Sequence, residues 1–261
     1  MAEPGRITTE RNGHVLSIGI DRVSKRNAFS LGMYHELGRA LHILDKDPDM
    51  RCGVLFAHGD HFTAGIDLME FAPEFAKGYL AFPENEVDPM GLLGGRVTKP
   101  VVMAVQGLCL TVGVELMLAM DIRVAASDTR FGQIEVQRGI LPVGGATLRF
   151  ARECGWGNAM RYLLTGDMFG ADDALRIGLV QEVVPPGRQV ERAMEIAAAI
   201  AEQAPLAVQA SLESARQELA HGEAEAARNL FPMVRSLLGT EDVQEGLASF
   251  LERRKATFQG R

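Results

Sequence analysis

An α/β core followed by an all-helical C-terminal region is the fold class that the 261-residue chain predicts. Three observations carry it. Short apolar runs of strand character alternate with segments of helical period through the first two-thirds, the pattern of crossover connections. From about Arg188 onward Ala, Glu, Arg and Leu dominate and strand candidates vanish. The length suits one main domain with a helical appendage better than two independent cores. We place the core at residues 1–195 and the helical region at residues 196–261.

The elements follow in order. Residues 14–20 alternate as a strand should. Ser30 is a natural N-cap, and Leu31, Tyr34, Leu37, Leu41 and Leu44 after it recur at steps of three or four until Asp47-Pro48 stops the helix. Residues 52–57 and 101–105 are short apolar runs ended by Gly or polar residues, which predicts buried strands. Between them, residues 70–95 mix Pro73, Pro83, Pro89, acids and exposed-looking Phe residues without a period, which predicts a mobile loop or lid. Residues 112–120 read as a buried helix and 121–126 as a strand. In the helical region breaks fall at Pro205, Gly222 and Gly239-Thr240. The last helix starts at Thr240 with Glu241 and Asp242 in its first turn, well placed against the helix dipole. No internal repeat of fixed period is visible.

Composition excludes several function classes. The net charge of −7 argues against a nucleic-acid partner or an anionic membrane surface, since the densest basic cluster is only Arg253-Arg254-Lys255. Residues 1–6 contain no apolar leader core, and no run approaches the roughly 18 apolar residues of a membrane span. A cytoplasmic setting is expected. Cys52, Cys109 and Cys154 are odd in number and widely spaced, which argues against a disulfide framework and against zinc. His58 and His61 bracket Gly59-Asp60 with no third ligand at metal spacing, so surface-loop histidines are the expectation. Neither a metal nor a cofactor is expected. No nucleophile elbow, phosphate loop or dinucleotide fingerprint occurs.

Two glutamates stand out. Glu115 lies on the otherwise apolar predicted helix, where a charge is costly unless paired or protonated. A buried ion pair, with Arg123 as the available partner, explains it as well as a catalytic role does. Glu135, twenty positions on, reads by itself as a solvated loop residue. Upstream, the turn Phe62-Thr63-Ala64-Gly65-Ile66-Asp67 joins a strand to a helix and leaves peptide N–H groups free. Asp67 and Glu70, three apart, have the spacing of a reciprocal capping box.

Taken together these segments resemble the crotonase, or enoyl-CoA hydratase/isomerase, superfamily. The matching stretches are Lys25-Arg26-Asn27-Ala28, Phe62 to Leu68, Lys99-Pro100-Val101-Val102 running to Gly107, Glu115 with Asp121-Ile122-Arg123, and Phe131-Gly132-Gln133-Ile134-Glu135. They continue with Leu141-Pro142-Val143-Gly144-Gly145, Thr165-Gly166-Asp167, Gly178-Leu179-Val180 and Phe250 to Lys255. The resemblance spans nearly the whole chain, and it rests on the order of these stretches more than on any one of them.

It implies a spiral of repeated ββα units with the acyl-CoA site, followed by a helical trimerisation region, as a homotrimer or a dimer of trimers. The implied ligand is a coenzyme A thioester, brought as substrate. Its carbonyl oxygen would accept from the peptide N–H groups of Ile66 and Val112. Lys25 and Arg26 would face phosphates, Ala28, Ala64, Asp67 and Leu68 would surround the nucleotide, and Phe250 and Arg253 would reach it from a neighbouring subunit. Glu115 would activate water and Glu135 would protonate C2 in hydration of a 2-enoyl-CoA. The acyl chain would draw on Met69, Phe71, the segment through Phe82 and Met90, and residues near Pro142. One departure bears on acyl fit: Thr111-Val112-Gly113 stands where such hydratases commonly show three glycines, and Ile66 replaces a small residue. Peptide donors do not depend on the side chain, but β-branched Val112 and bulky Ile66 narrow the space beside the thioester. Double-bond isomerisation, a specialised acyl-CoA hydratase or lyase, and non-catalytic acyl-CoA binding are the alternatives on the same fold.

Overall fold

The computed structural model describes residues 4–78 and 80–261; the first three residues, part of the stretch inspected for a leader, and Tyr79 in the candidate lid lie outside them. The chain opens with β1 (Arg6–Asn12), paired antiparallel with β2 (Val15–Asp21) around a tight turn at Gly13. α1 (Leu31–Lys46) follows, its N-cap Ser30 accepting from the Met33 N–H at 3.1 Å. Then come β3 (Cys52–Ala57), α2 (Leu68–Lys77), β4 (Val101–Val105), β5 (Leu108–Leu110), α3 (Val112–Ala119), β6 (Ile122–Ala126) and β7 (Arg130–Gly132). α4 (Ala146–Cys154), α5 (Trp156–Thr165), β8 (Phe169–Gly170), α6 (Ala171–Arg176) and β9 (Glu182–Val184) complete the mixed part. The remainder is helical: α7 (Gln189–Ala201), α8 (Pro205–His221), α9 (Glu223–Leu237) and α10 (Glu241–Glu252), the last capped by Thr240.

The strands form two sheets, one in the order β1-β2-β3-β4-β6-β9 and a smaller one in the order β5-β7-β8. From β2 to β9 the larger sheet is parallel, as crossover connections require. Its two faces are covered differently. Ile18, Ile20, Leu55 and Met103 join Leu37, Leu41 and Leu44 of α1 in the main core. On the other face Val54, Val102, Ala104 and Val124 meet Ala193, Ala197 and Ala201 of α7, a small-residue stripe that lets this helix lie close. Residues 195 and 196 lie within α7.

The segment expected to be a loop is partly a helix. Residues 70–77 belong to α2, and Phe71 is buried where exposed Phe residues were expected. The irregular part beyond it is tied down by side chains that sequence spacing does not connect. The Asp88 carboxylate accepts from the N–H groups of Met90, Leu92 and Leu93 at 2.8–2.9 Å, and Glu86 pairs with His35 and Arg39. No described helix is long and apolar enough to cross a membrane.

Candidate active site

The first donor turn is built from the sheet outward. The Thr63 N–H donates to the Leu108 carbonyl at 2.9 Å and the Leu110 N–H to the Thr63 carbonyl at 3.1 Å, so residues 62–67 run alongside β5. The Thr63 hydroxyl donates to the Asn27 carbonyl and accepts from the Gly65 N–H, which curls the turn. Gly65 has φ +116°, and a Cβ there would lie 2.7 Å from Thr111 Oγ1: the two donor turns touch at that point, and only glycine fits. Thr111 precedes α3 with φ 49° and ψ −112° and makes no side-chain capping bond. Neither the Ile66 N–H nor the Val112 N–H has an acceptor among the described residues.

Glu115 stands one turn into α3, only 4% exposed. Its Oε1 accepts from the Ala146 N–H at 3.2 Å, and a Cβ on Gly144 would come 2.6 Å from Oε2, so the turn before α4 wraps the carboxyl closely. Burial raises its pKa, opposed by the amides of Ala146 and Gly144 and by the charge of Arg149. The ion-pair expectation is overturned: Arg123 pairs with Glu153 at 2.7 Å and donates to the Met117 carbonyl instead.

Glu135 is not a solvated loop residue either. It opens a 3₁₀ turn after β7 and is 8% exposed. Parallel pairing of β5 with β7, and the Thr111 N–H donating to the Gly132 carbonyl at 2.8 Å, bring it beside the start of α3. Burial, with Glu115 adding repulsion, pushes its pKa up to about 7. The buried Gln133 amide, turned so that its nitrogen faces Glu135, donates to both carboxylate oxygens at 2.8 and 2.9 Å. Sequence reading passed over Gln133, although it lies two residues before Glu135 in a motif already singled out. Arg149 was missed as well, because the residues of α4 were not read as a helix.

The residues assigned to the nucleotide fall into two groups. Lys25 and Arg26 are exposed at the end of a 3₁₀ turn, Arg26 and Asn27 both have positive φ, and the Arg26 carbonyl accepts from the Ala64 N–H at 2.9 Å. Asn27 holds this turn in place, donating to the His58 and His61 carbonyls at 2.8 and 2.7 Å. Lys25, Arg26, Ala28, Ala64, Asp67 and Leu68 are thereby gathered at one edge. Phe250 and Arg253 sit exposed at the end of α10, with no described hydrogen bond to that edge. Two smaller expectations change. Asp67 makes no capping bond; it faces Arg22 at 3.5 Å, and Glu70 accepts from the Leu31 N–H, supporting α1 rather than its own helix. His58 and His61 are half-buried structural groups, bonded to Thr8 Oγ1 and to the Leu108 N–H.

Two free amides on touching turns and two buried carboxyls form an arrangement able to stabilise charge on an oxygen and to move protons beside it. Known proteins resemble the chain throughout. The enoyl-CoA hydratase/isomerase family model matches residues 10–261. The chain is 35% identical over 257 residues to an enoyl-CoA hydratase of Mycobacterium tuberculosis, covering 97% of this chain and 96% of that one. Identity is 34% over 262 residues to the 2,3-dehydroadipyl-CoA hydratase of Escherichia coli, with 98% and 99% covered. The crystal structure of a probable enoyl-CoA hydratase/isomerase from Mycobacterium abscessus matches with a TM-score of 0.95 at 48% identity, covering 100% of both chains. The chain belongs to the enoyl-CoA hydratase/isomerase, or crotonase, superfamily.

Proposed function

We propose that the protein hydrates 2-enoyl-CoA thioesters to 3-hydroxyacyl-CoA. The observation that carries this reading is the pair of buried carboxyls, Glu115 on α3 three residues after the free amide of Val112, and Glu135 on the 3₁₀ turn that follows β7. In this scheme the thioester oxygen accepts from the Ile66 and Val112 amides, each donor lowering the barrier by roughly 3 to 4 kcal/mol in comparable sites. Glu115 takes a proton from water as the water oxygen bonds to C3, the π electrons move onto the thioester as an enolate, and Glu135 delivers its proton to C2. The pair then holds one proton on the other glutamate and resets by exchange with solvent. Burial and the nearby Glu115 raise Glu135, against the Gln133 amide that favours its charged form, which suits it to arrive protonated. Glu115, gripped by amides that favour its charged form, is suited to act as the base. Hydratase names among the full-length relatives support this reaction over isomerisation.

The CoA part would lie along Lys25, Arg26, Ala28, Ala64, Asp67 and Leu68. Phe250 and Arg253 would be supplied by a neighbour in a homotrimer or dimer of trimers, with residues 1–195 as the catalytic core and 196–261 as the oligomerising helices. Exposed apolar side chains on α9 and α10, Phe231 at 86% and Phe250 and Leu251 at 80%, suit burial against other copies. A cytoplasmic setting completes the reading. Glu115→Gln and Glu135→Gln should each cut hydration of a 2-enoyl-CoA by at least about a hundredfold. Wild-type rates from both would remove the proposal.

A further inference from the structure

Arg149 takes no part in the scheme above, yet it lies against its machinery. It follows Ala146 by one turn of α4 and is buried. Its Nη1 donates to the Met90 carbonyl at 2.7 Å and its Nη2 to the Gly91 carbonyl at 3.2 Å. A Cβ on Gly145 would lie 3.6 Å from Nη1, so the guanidinium folds back over the same turn that wraps Glu115. It makes no ion pair within 4.0 Å among the described residues.

A buried cation is costly unless negative charge faces it. Three acids surround Arg149: Glu153, Asp88 and Glu115, with Arg152 and Arg96 as nearby like charges. Glu153 is paired with Arg123 at 2.7 Å. Asp88 is taken up by three amides and faces the Tyr34 hydroxyl at 3.5 Å. Glu115 is held by neutral amides only. The groups facing Glu115 are Tyr34 on α1, Asp88 behind it, Glu135 after β7 and Arg149 on α4, and Arg149 is the one cation among them.

We propose that Arg149 is a positioning residue for the hydration: its charge keeps Glu115 ionised as the base, and its two carbonyl contacts fasten the 88–93 segment to the turn that holds Glu115. This rests on the hydratase reading of the same site. Two variants separate charge from anchoring. Arg149→Gln keeps an amide donor for the carbonyls without the charge; Arg149→Lys keeps the charge without the fork. In the pH profile of kcat/KM with a 2-enoyl-CoA, the rising acid limb of Arg149→Gln should move up by about one pH unit, with rates converging with wild type above it. Arg149→Lys should keep the wild-type limb and show a raised KM. An acid limb unmoved in Arg149→Gln overturns the proposal.

An infrared titration of the Glu115 carboxyl, its band identified by its loss in Glu115→Gln, reads the same quantity without turnover. The midpoint should rise in Arg149→Gln and stay put in Arg149→Lys. An unmoved midpoint in the first, or a raised one in the second, overturns the role of Arg149. Absence of hydration by the wild-type protein sinks the hydratase reading and leaves this titration to decide about Arg149.

Discussion

At the scale of single residues, the site depends on what burial does to a carboxyl. Glu135 moves from an ordinary 4.5 to about 7 because water is removed and Glu115 lies near. The folded protein therefore holds that proton more tightly than the unfolded chain. The stabilisation from protonation is complete below about pH 4.5, declines as pH rises, and is lost above about pH 7. Glu135→Gln has no such ionisation. Its melting temperature relative to wild type should rise between pH 5 and 8 and then level off; a pH-independent difference in thermal melts would show that Glu135 ionises as it does in water. Sequence made Glu115 legible, since a charge in an apolar run is conspicuous, whereas Glu135 stood out only through the family resemblance. It left their surroundings open: nothing in the spacing distinguishes Arg123, which turns to Glu153, from Arg149, which folds back over the turn that wraps Glu115. Gln133 was equally silent, because its role depends on where β7 lies relative to Glu135.

At the scale of elements, the two turns with free amides are held by close contacts rather than by long helices. A Cβ at Gly113 would sit 2.7 Å from Thr63 Cγ2 and 3.0 Å from Cys109 Sγ, both buried and with little room to yield. Gly113→Ala should therefore push α3 away from the first turn and lower kcat by at least about tenfold, a loss of one misplaced donor or less, while KM changes little. Equal losses in kcat and in thermal stability would point to general unfolding instead. Thr111 holds a left-handed φ that is costly for a β-branched side chain. Thr111→Gly should raise stability by about 1 kcal/mol in chemical denaturation, after allowing for the extra freedom of glycine in the unfolded chain. A fall in stability would mean that the threonine side chain contributes more by packing than its backbone costs. α1 was readable from its period, and α3 and β4 from their apolar runs. β5, β7 and β8 have three residues or fewer and show no alternation to read. β1 is an edge strand carrying Arg6, Glu10 and Arg11, the charged character by which such edges avoid pairing with other chains.

At the scale of the whole molecule, the helices that close the chain leave much apolar surface in water. Phe231 and Val234 lie three residues apart on α9 with Leu238 at its C-cap, and Leu247, Phe250 and Leu251 continue the theme on α10. Apolar surface of this kind suits contact with further copies. Sedimentation should find a trimer or a dimer of trimers. Phe231→Asp should shift the protein to smaller species and weaken acyl-CoA binding, because Phe250 and Arg253 would no longer reach a neighbour's nucleotide; a wild-type protein that sediments as a monomer would rule this arrangement out. The helical character of this region was plain from composition, whereas its burial depends on surfaces beyond one chain. The central claim concerns the carbon–carbon double bond next to the thioester. It is tested most directly by following the absorbance of the conjugated enoyl group across a panel of 2-enoyl and 3-enoyl thioesters. Rapid loss of that absorbance from a 2-enoyl-CoA, abolished in Glu115→Gln and Glu135→Gln, is the predicted result. Unchanged absorbance with every 2-enoyl thioester, together with a rise as a 3-enoyl thioester becomes conjugated, would contradict it.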